Sequence, residues 1–222
     1  MKLVAAAALS LVLVKSMSPS PIAAQTYLAL GDSYTIGEKV DSASRWPVQL
    51  AKSLRAAGVD VGDPLIIAKT GWTTDELGAG IETAAVQGTY ALVSLLIGVN
   101  NQYRARPAEE YRTQFRTLLD EAIGYAGGRS ARVIVLSIPD WGVMPFAQGR
   151  DRAKIGREID QFNAIAREES ERAGAKWVDV TPASRAMRDG WAASDGLHPS
   201  GAQYTEWAAL ALPAARAALG VR

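Results

Sequence analysis

The chain has 222 residues, of which 48% are hydrophobic and 21% charged; this length and balance suit one domain with a substantial core and exclude a disordered or fibrous protein. Lys and Arg number 24 against 23 Asp and Glu, and this near-neutral charge, without a basic run, gives no support for a nucleic-acid partner. The lack of cysteine excludes disulfides and thiolate sites, and a single histidine argues against a histidine-rich metal site.

The N-terminal segment differs from the rest of the chain in composition. An apolar run over residues 3–14 is flanked by Lys2 and Lys15, and a Ser/Pro-rich passage ending in small residues follows. This arrangement is typical of a secretory signal peptide, and the run is too short to span a bilayer. We therefore expect residues 1–24 to be a signal peptide, residues 25–222 to form a single domain, and the protein to be secreted or periplasmic with no stable membrane span. The alternative is an apolar N-terminus on a cytosolic protein.

Strand and helix patterns alternate along the remaining chain. Short apolar runs rich in branched residues predict five buried strands, over 26–30, 64–68, 90–97, 132–138 and 176–180. Amphipathic segments with capping residues predict helices over 44–58, from about 73, and over 107–126, 151–173 and 200–219. The third strand run contains no charge, which indicates burial on both faces. The alternation therefore predicts one doubly wound α/β domain with a parallel sheet.

Three candidate site residues follow the first three predicted strands. They are Ser33, Gly71 and Asn100, and the carboxyl ends of parallel strands meet at the edge where open α/β sheets bind ligands. A serine nucleophile requires a general base, and the one histidine, His198, follows Asp195 by three residues. A glycine N–H and an asparagine amide can both stabilise an oxyanion. These residues therefore predict nucleophilic chemistry at one sheet edge.

Each candidate also has a purely structural interpretation. Gly-Asp-Ser is a common turn, Gly71 and Asn100 suit turn geometry, and Asp195 can cap a helix or form an Asx turn. Asp32, just before the candidate serine, is expected to bond backbone groups of its own turn. Each of these residues alone is weak evidence, and the prediction depends on the joint placement of all of them.

A long irregular connection over residues 139–149 follows the fourth predicted strand. Such connections in compact domains are often functional. Trp141, Met144 and Phe146 are therefore candidates to line a pocket for an acyl or leaving group. Simple packing of the loop onto the domain is the other interpretation.

Taken together, the motif blocks resemble those of the SGNH hydrolase superfamily, the GDSL-type esterases and lipases. Four blocks match in order, at 31–33, Gly71, 98–100 and 195–198. The resemblance implies a three-layer α/β/α sandwich with a five-stranded parallel sheet in the flavodoxin-like order 2-1-3-4-5.

The resemblance also assigns roles to the candidate residues. It implies Ser33 as nucleophile, His198 as general base and Asp195 as the third triad member. The Ser33 N–H, the Gly71 N–H and the Asn100 amide would form the oxyanion hole, with no metal or organic cofactor. The chain departs from the family pattern at Tyr34, where leucine is usual, and at Asn101, where many members carry aspartate.

The expected function is a serine esterase that acts through an acyl-enzyme intermediate. Its substrate would be a lysophospholipid, an acyl thioester, or a simple or acetyl ester. One alternative is an acyltransferase, in which an alcohol or sugar replaces water at the same site. A second alternative is a catalytically idle carbohydrate- or lipid-binding module on the same fold.

Overall fold

The computed structural model describes residues 25–221, so the signal peptide predicted for residues 1–24 lies outside the described residues and stays a prediction. Within this range, five parallel strands form one sheet in the order β2-β1-β3-β4-β5. The strands are β1 (Tyr27–Gly31), β2 (Leu65–Ala68), β3 (Leu92–Leu96), β4 (Val133–Leu136) and β5 (Lys176–Val178). The predicted flavodoxin-like strand order is confirmed.

Helices pack against the sheet in two groups. They are α1 (Ser33–Ile36), α2 (Trp46–Ala56), α3 (Thr74–Ala84), α4 (Val99–Tyr103), α5 (Ala108–Tyr125), α6 (Arg152–Ala173), α7 (Thr181–Arg185) and α8 (Gly201–Ala218). α2 packs on α8, whereas α5 packs on α3 and α6. The result is the predicted α/β/α sandwich. None of the helices described in this range is long and apolar enough to cross a bilayer.

Burial explains why the central strands read as continuous apolar runs. Every residue of β1, β3 and β4 is buried, whereas the edge strands β2 and β5 are partly exposed. A strand covered on both faces has no polar side to alternate with. Large aromatic side chains fill the core between sheet and helices, among them Trp46, Tyr204 and Trp207 on one group of helices and Tyr111 and Phe115 on the other.

Three one-turn helices, α1, α4 and α7, are absent from the predicted pattern. α4 begins at Val99, where the sequence indicates only a strand end and a turn, and α7 begins at Thr181 in a segment with no predicted element. A single turn is too short to produce a recognisable apolar period. The consequence for the site is that Asn100 lies on a helix rather than in a loop.

An ionic cluster joins the outer surfaces of α5 and α6. The Glu169 side chain is only 1% exposed and accepts hydrogen bonds from Arg112, Arg116 and Arg172. These bonds, with that from Arg116 the strongest, outweigh the opposing effect of burial and lower the pKa of Glu169 to about 2. The cluster therefore depends on an ionised carboxylate.

Candidate active site

Ser33 is positioned by an abrupt transition from β1 to α1. Gly31 ends the strand, and a Cβ at this position would lie 2.5 Å from the carbonyl oxygen of Leu96, so only glycine fits. Asp32 then caps α1, with its Oδ1 accepting the Tyr34 N–H at 3.0 Å. The expected role of Asp32 in bonding its own turn is confirmed. Ser33 is thereby the first residue of α1, at the carboxyl edge of the sheet.

The Asp32 carboxyl is fully buried beside the candidate serine. Burial raises its pKa to about 7, and the hydrogen bond from the Tyr34 N–H opposes that shift only in part. Its second oxygen, Oδ2, lies 3.5 Å from Asn100 Nδ2. Asp32 thus interacts with the turn and with Asn100, while a different carboxylate contacts the histidine ring.

That carboxylate belongs to Asp195. Asp195 Oδ2 lies 2.6 Å from His198 Nδ1, and Oδ1 accepts the backbone N–H groups of Leu197 and His198, each at 3.0 Å. Burial alone would raise the pKa of Asp195, but the hydrogen bonds from the His198 ring and from the two backbone groups hold it below its ordinary value. One carboxylate therefore forms the Asx turn and also orients the imidazole.

Tyr34 supports the other side of the imidazole. Its buried ring meets the His198 ring edge-on, with centroids 6.0 Å apart and planes at 65°, and it packs in the same manner on Trp207. The sequence marks Tyr34 only as a departure from the family pattern beside Ser33. No signal in the sequence indicates that its ring reaches a histidine near the other end of the chain.

Gly71 and Asn100 meet across the sheet edge. Gly71 adopts a left-handed conformation with φ of +87° in a turn closed by a bond from Trp72 N–H to the Lys69 carbonyl at 3.2 Å. Asn100 Nδ2 donates to the Trp72 carbonyl at 2.9 Å, and its other contact is the 3.5 Å approach to Asp32. Because 3.5 Å is long for an N–H···O hydrogen bond, the second amide hydrogen is held only weakly by Asp32.

The candidate residues share one cavity of about 200 Å³ at the carboxyl edge of the sheet. Ser33, Gly71, Asn100 and His198 all line it, whereas Asp195 lies behind the imidazole. Its remaining lining residues are mostly apolar: Tyr34, Thr70, Val99, Tyr103, Trp141, Phe146 and Leu197. Within residues 25–221, Ser33 and His198 are not hydrogen bonded to each other; in unliganded sites this contact often tightens only when substrate binds.

The 139–149 loop contributes part of this cavity, but not all the residues expected. Trp141 and Phe146 line it, whereas Met144 does not. The loop forms two 3₁₀ turns, Trp141–Val143 and Pro145–Ala147, and Met144 between them turns into the core, where it is 4% exposed. The prediction that Met144 lines the pocket is therefore wrong. Its side chain borders a separate gap too small to admit water.

Comparisons with known proteins bear on the family and on the fold. A profile of the GDSL-like Lipase/Acylhydrolase family matches residues 29–205, whereas a search of curated protein sequences gave no match. Among solved structures, TesA is similar over 88% of this chain and 100% of its own, with 21% identity and a TM-score of 0.69.

Two further similar structures carry the word esterase in their names. The acetylxylan esterase Axe2 from Geobacillus stearothermophilus covers 89% of this chain and 96% of its own, with 20% identity and a TM-score of 0.66. The psychrotrophic esterase EstA from Pseudoalteromonas sp. covers 86% and 96%, with 18% identity and a TM-score of 0.63. At such identities the structural likeness supports the fold, and the profile match supplies the family. The protein is thus an ester-bond hydrolase, and the chain belongs to the GDSL-like lipase/acylhydrolase family.

Proposed function

We propose that the protein is a serine esterase in which Ser33, His198 and Asp195 form the catalytic triad and the acyl group is carried on Ser33. The observation that supports this most directly is the shared cavity, which brings the Ser33 hydroxyl and the His198 ring to one sheet edge. The 2.6 Å contact between His198 Nδ1 and Asp195 Oδ2 supplies the third member. A catalytically idle binding module would not require this combination.

The contact with Asp195 determines what the imidazole can do. A carboxylate accepts only, so Nδ1 carries the proton and Nε2 keeps its lone pair for the Ser33 hydroxyl. As Ser33 Oγ attacks the ester carbonyl, Nε2 takes its proton, and Asp195 stabilises the imidazolium that results. Nε2 then returns that proton to the departing alcohol, which leaves an acyl-enzyme.

The negative charge on the carbonyl oxygen would be met by three donors. Within residues 25–221, neither the Ser33 N–H nor the Gly71 N–H donates to another protein group, and the second Asn100 hydrogen has only its long approach to Asp32. Donors already in place cost little reorganisation when charge develops, and each is worth on the order of 3 kcal/mol of barrier lowering. Water activated by His198 then releases the acyl group.

The cavity favours a short acyl group. Its volume of about 200 Å³ lies below the range of about 300–1,000 Å³ found for pockets that enclose drug-sized ligands. Its apolar wall, which includes Val99, Trp141 and Leu197, suits hydrocarbon rather than a charged group. We therefore expect acetyl and other short esters to be hydrolysed faster than long-chain esters.

A chain-length series of p-nitrophenyl esters, from acetate to palmitate, tests the proposal. Wild type should hydrolyse the short esters, and Ser33→Ala should reduce the rate to background. Ser42→Ala is the matched control, because Ser42 is exposed on a short 3₁₀ turn and should keep full activity. Equal rates for wild type and Ser33→Ala would refute a Ser33 nucleophile. Adding an alcohol and analysing the products separates hydrolysis from acyl transfer.

A further inference from the structure

Helix α4 binds two neighbouring carbonyl groups in the segment that follows β2. Arg104, the C-cap residue just after α4, donates from Nη2 to the Gly71 carbonyl oxygen at 2.6 Å. One turn earlier, Asn100 donates to the Trp72 carbonyl oxygen at 2.9 Å. Residues four apart lie on the same helix face. The two proposed oxyanion donors, Gly71 and Asn100, are therefore connected through one side of α4.

The guanidinium of Arg104 is itself held in place by α3. Its Nη1 donates to Glu76 Oε1 at 3.0 Å, while Glu76 Oε2 accepts the Thr73 N–H at 2.9 Å. The bond from Thr73, followed by that from Arg104, lowers the pKa of the Glu76 carboxyl. The planar guanidinium thus uses one nitrogen for a carboxylate and the other for a carbonyl, with charge-assisted hydrogen bonds in fixed directions. Arg104 therefore links the start of α3 to the Gly71 carbonyl.

Gly71 needs such a link because its own backbone does not fix its orientation. Its φ of +87° is accessible to glycine, but glycine adopts many other conformations at similar cost. The turn contributes only the bond of 3.2 Å from Trp72 to Lys69. The Gly71 carbonyl and N–H lie in adjacent peptide planes that share the Gly71 Cα, so a displacement of the carbonyl segment that shifts this Cα also displaces the N–H.

We propose that Arg104 is a positioning residue for the oxyanion hole. By holding the Gly71 carbonyl oxygen, it keeps the Gly71 N–H directed at the substrate oxygen without contacting substrate itself. Arg104 is not among the residues that line the catalytic cavity. This inference rests on the proposed esterase function. A displacement of about 1 Å at a reacting centre can lower a rate by about 10²-fold, so loss of Arg104 should lower kcat by about 10- to 100-fold.

The test compares Arg104→Ala with Arg106→Ala. Arg106 is a close match, since it pairs with Asp75 in the first turn of α3 at 2.8 Å, as Arg104 pairs with Glu76, but it donates to carboxylates and not to the Gly71 carbonyl. With p-nitrophenyl acetate, Arg104→Ala should lower kcat with little change in KM. Arg106→Ala should leave kcat and KM near wild type, and its shift in Tm should be similar to that of Arg104→Ala.

Chemical rescue and a conservative variant distinguish positioning from general stability. Millimolar guanidinium added to Arg104→Ala should restore part of kcat, and Arg104→Lys should keep an intermediate kcat because one ammonium can replace only one of the two bonds. If Arg104→Ala melts below the assay temperature, the kcat of Arg104→Lys, measured below the Tm of that variant, decides the question. Suppose that wild-type activity depends on Ser33 but that kcat of the Arg104 variants lies within twofold of that of Arg106→Ala. This result would overturn the role of Arg104 and leave the proposed function standing. Wild-type activity no higher than that of Ser33→Ala would instead overturn the proposed function.

Discussion

Asp195→Asn separates the two functions that the Asp195 carboxylate combines. Asn keeps Oδ1, which accepts the Leu197 and His198 N–H groups at 3.0 Å, so the turn should survive. It places an NH₂ group where Oδ2 now lies 2.6 Å from His198 Nδ1. Two donors would then face each other, which favours the imidazole tautomer with the proton on Nε2. That tautomer cannot accept the Ser33 proton.

The expected loss in kcat is about 10⁴-fold, the size seen when this substitution inverts the histidine tautomer in a serine hydrolase triad. Such a factor corresponds to about 5 kcal/mol of barrier. A hydrogen bond to a charged group contributes only about 1.5–3 kcal/mol, so the lost bond alone does not account for the effect. The wrong tautomer must supply the remainder. Asp195→Ala should lose comparable activity and also destabilise the loop, because it removes the turn bonds.

The assay combines kinetics, thermal unfolding and nitrogen NMR. Because the chain contains one histidine, a long-range proton–nitrogen spectrum reports the His198 tautomer without assignment. Wild type should show Nδ1–H, and Asp195→Asn should show Nε2–H with a Tm close to wild type. An Asn variant with wild-type kcat, or with Nδ1 still protonated, would refute the reasoning.

Three further predictions concern other parts of the site and the fold. Asn100→Ala should lower kcat by about 10²- to 10³-fold in steady-state assays, as for loss of one oxyanion donor, and a loss below tenfold would argue against that role. Asn101→Asp should reduce the free energy of unfolding in urea by about 1–3 kcal/mol, because Asn101 Nδ2 donates at 2.7 Å to a Thr74 hydroxyl that already donates to Gln114; unchanged stability would contradict this account. The low pKa of Glu169, about 2 against an ordinary 4.5, contributes stability that is complete above pH 4.5 and is lost as pH falls toward 2, so wild type should lose up to roughly 3 kcal/mol more than Glu169→Gln over that interval. Parallel acid unfolding curves for wild type and Glu169→Gln would show that the ionic cluster around Glu169 contributes no stability.

The Asn101 contacts also explain why this chain departs from the family pattern there. Asn101 Oδ1 accepts the Thr74 N–H at 3.1 Å while its amide donates to the Thr74 hydroxyl. An aspartate would have no hydrogen for that second contact. The sequence identifies the departure, but the partner that accounts for it lies on another helix.

The sequence by itself determines the layered architecture, because the burial of each element produces a pattern of apolar residues within that element. Fully buried strands such as β1 and β3 appear as apolar runs without alternation, and amphipathic helices between them require a parallel sheet. The positions of Ser33, Gly71 and Asn100 after successive strands follow from the same pattern. These features depend on neighbours in the chain, and a single sequence contains that information.

Only the tertiary structure decides which side chains meet across the sheet edge. The contact of Tyr34 with His198, the inward turn of Met144 and the bond from Arg104 to Gly71 join segments that no periodicity relates. Such contacts depend on the register of the sheet and on the exact course of loops, to which short-range patterns are insensitive. The sequence therefore predicts the reacting groups, while packing between distant segments determines their orientation.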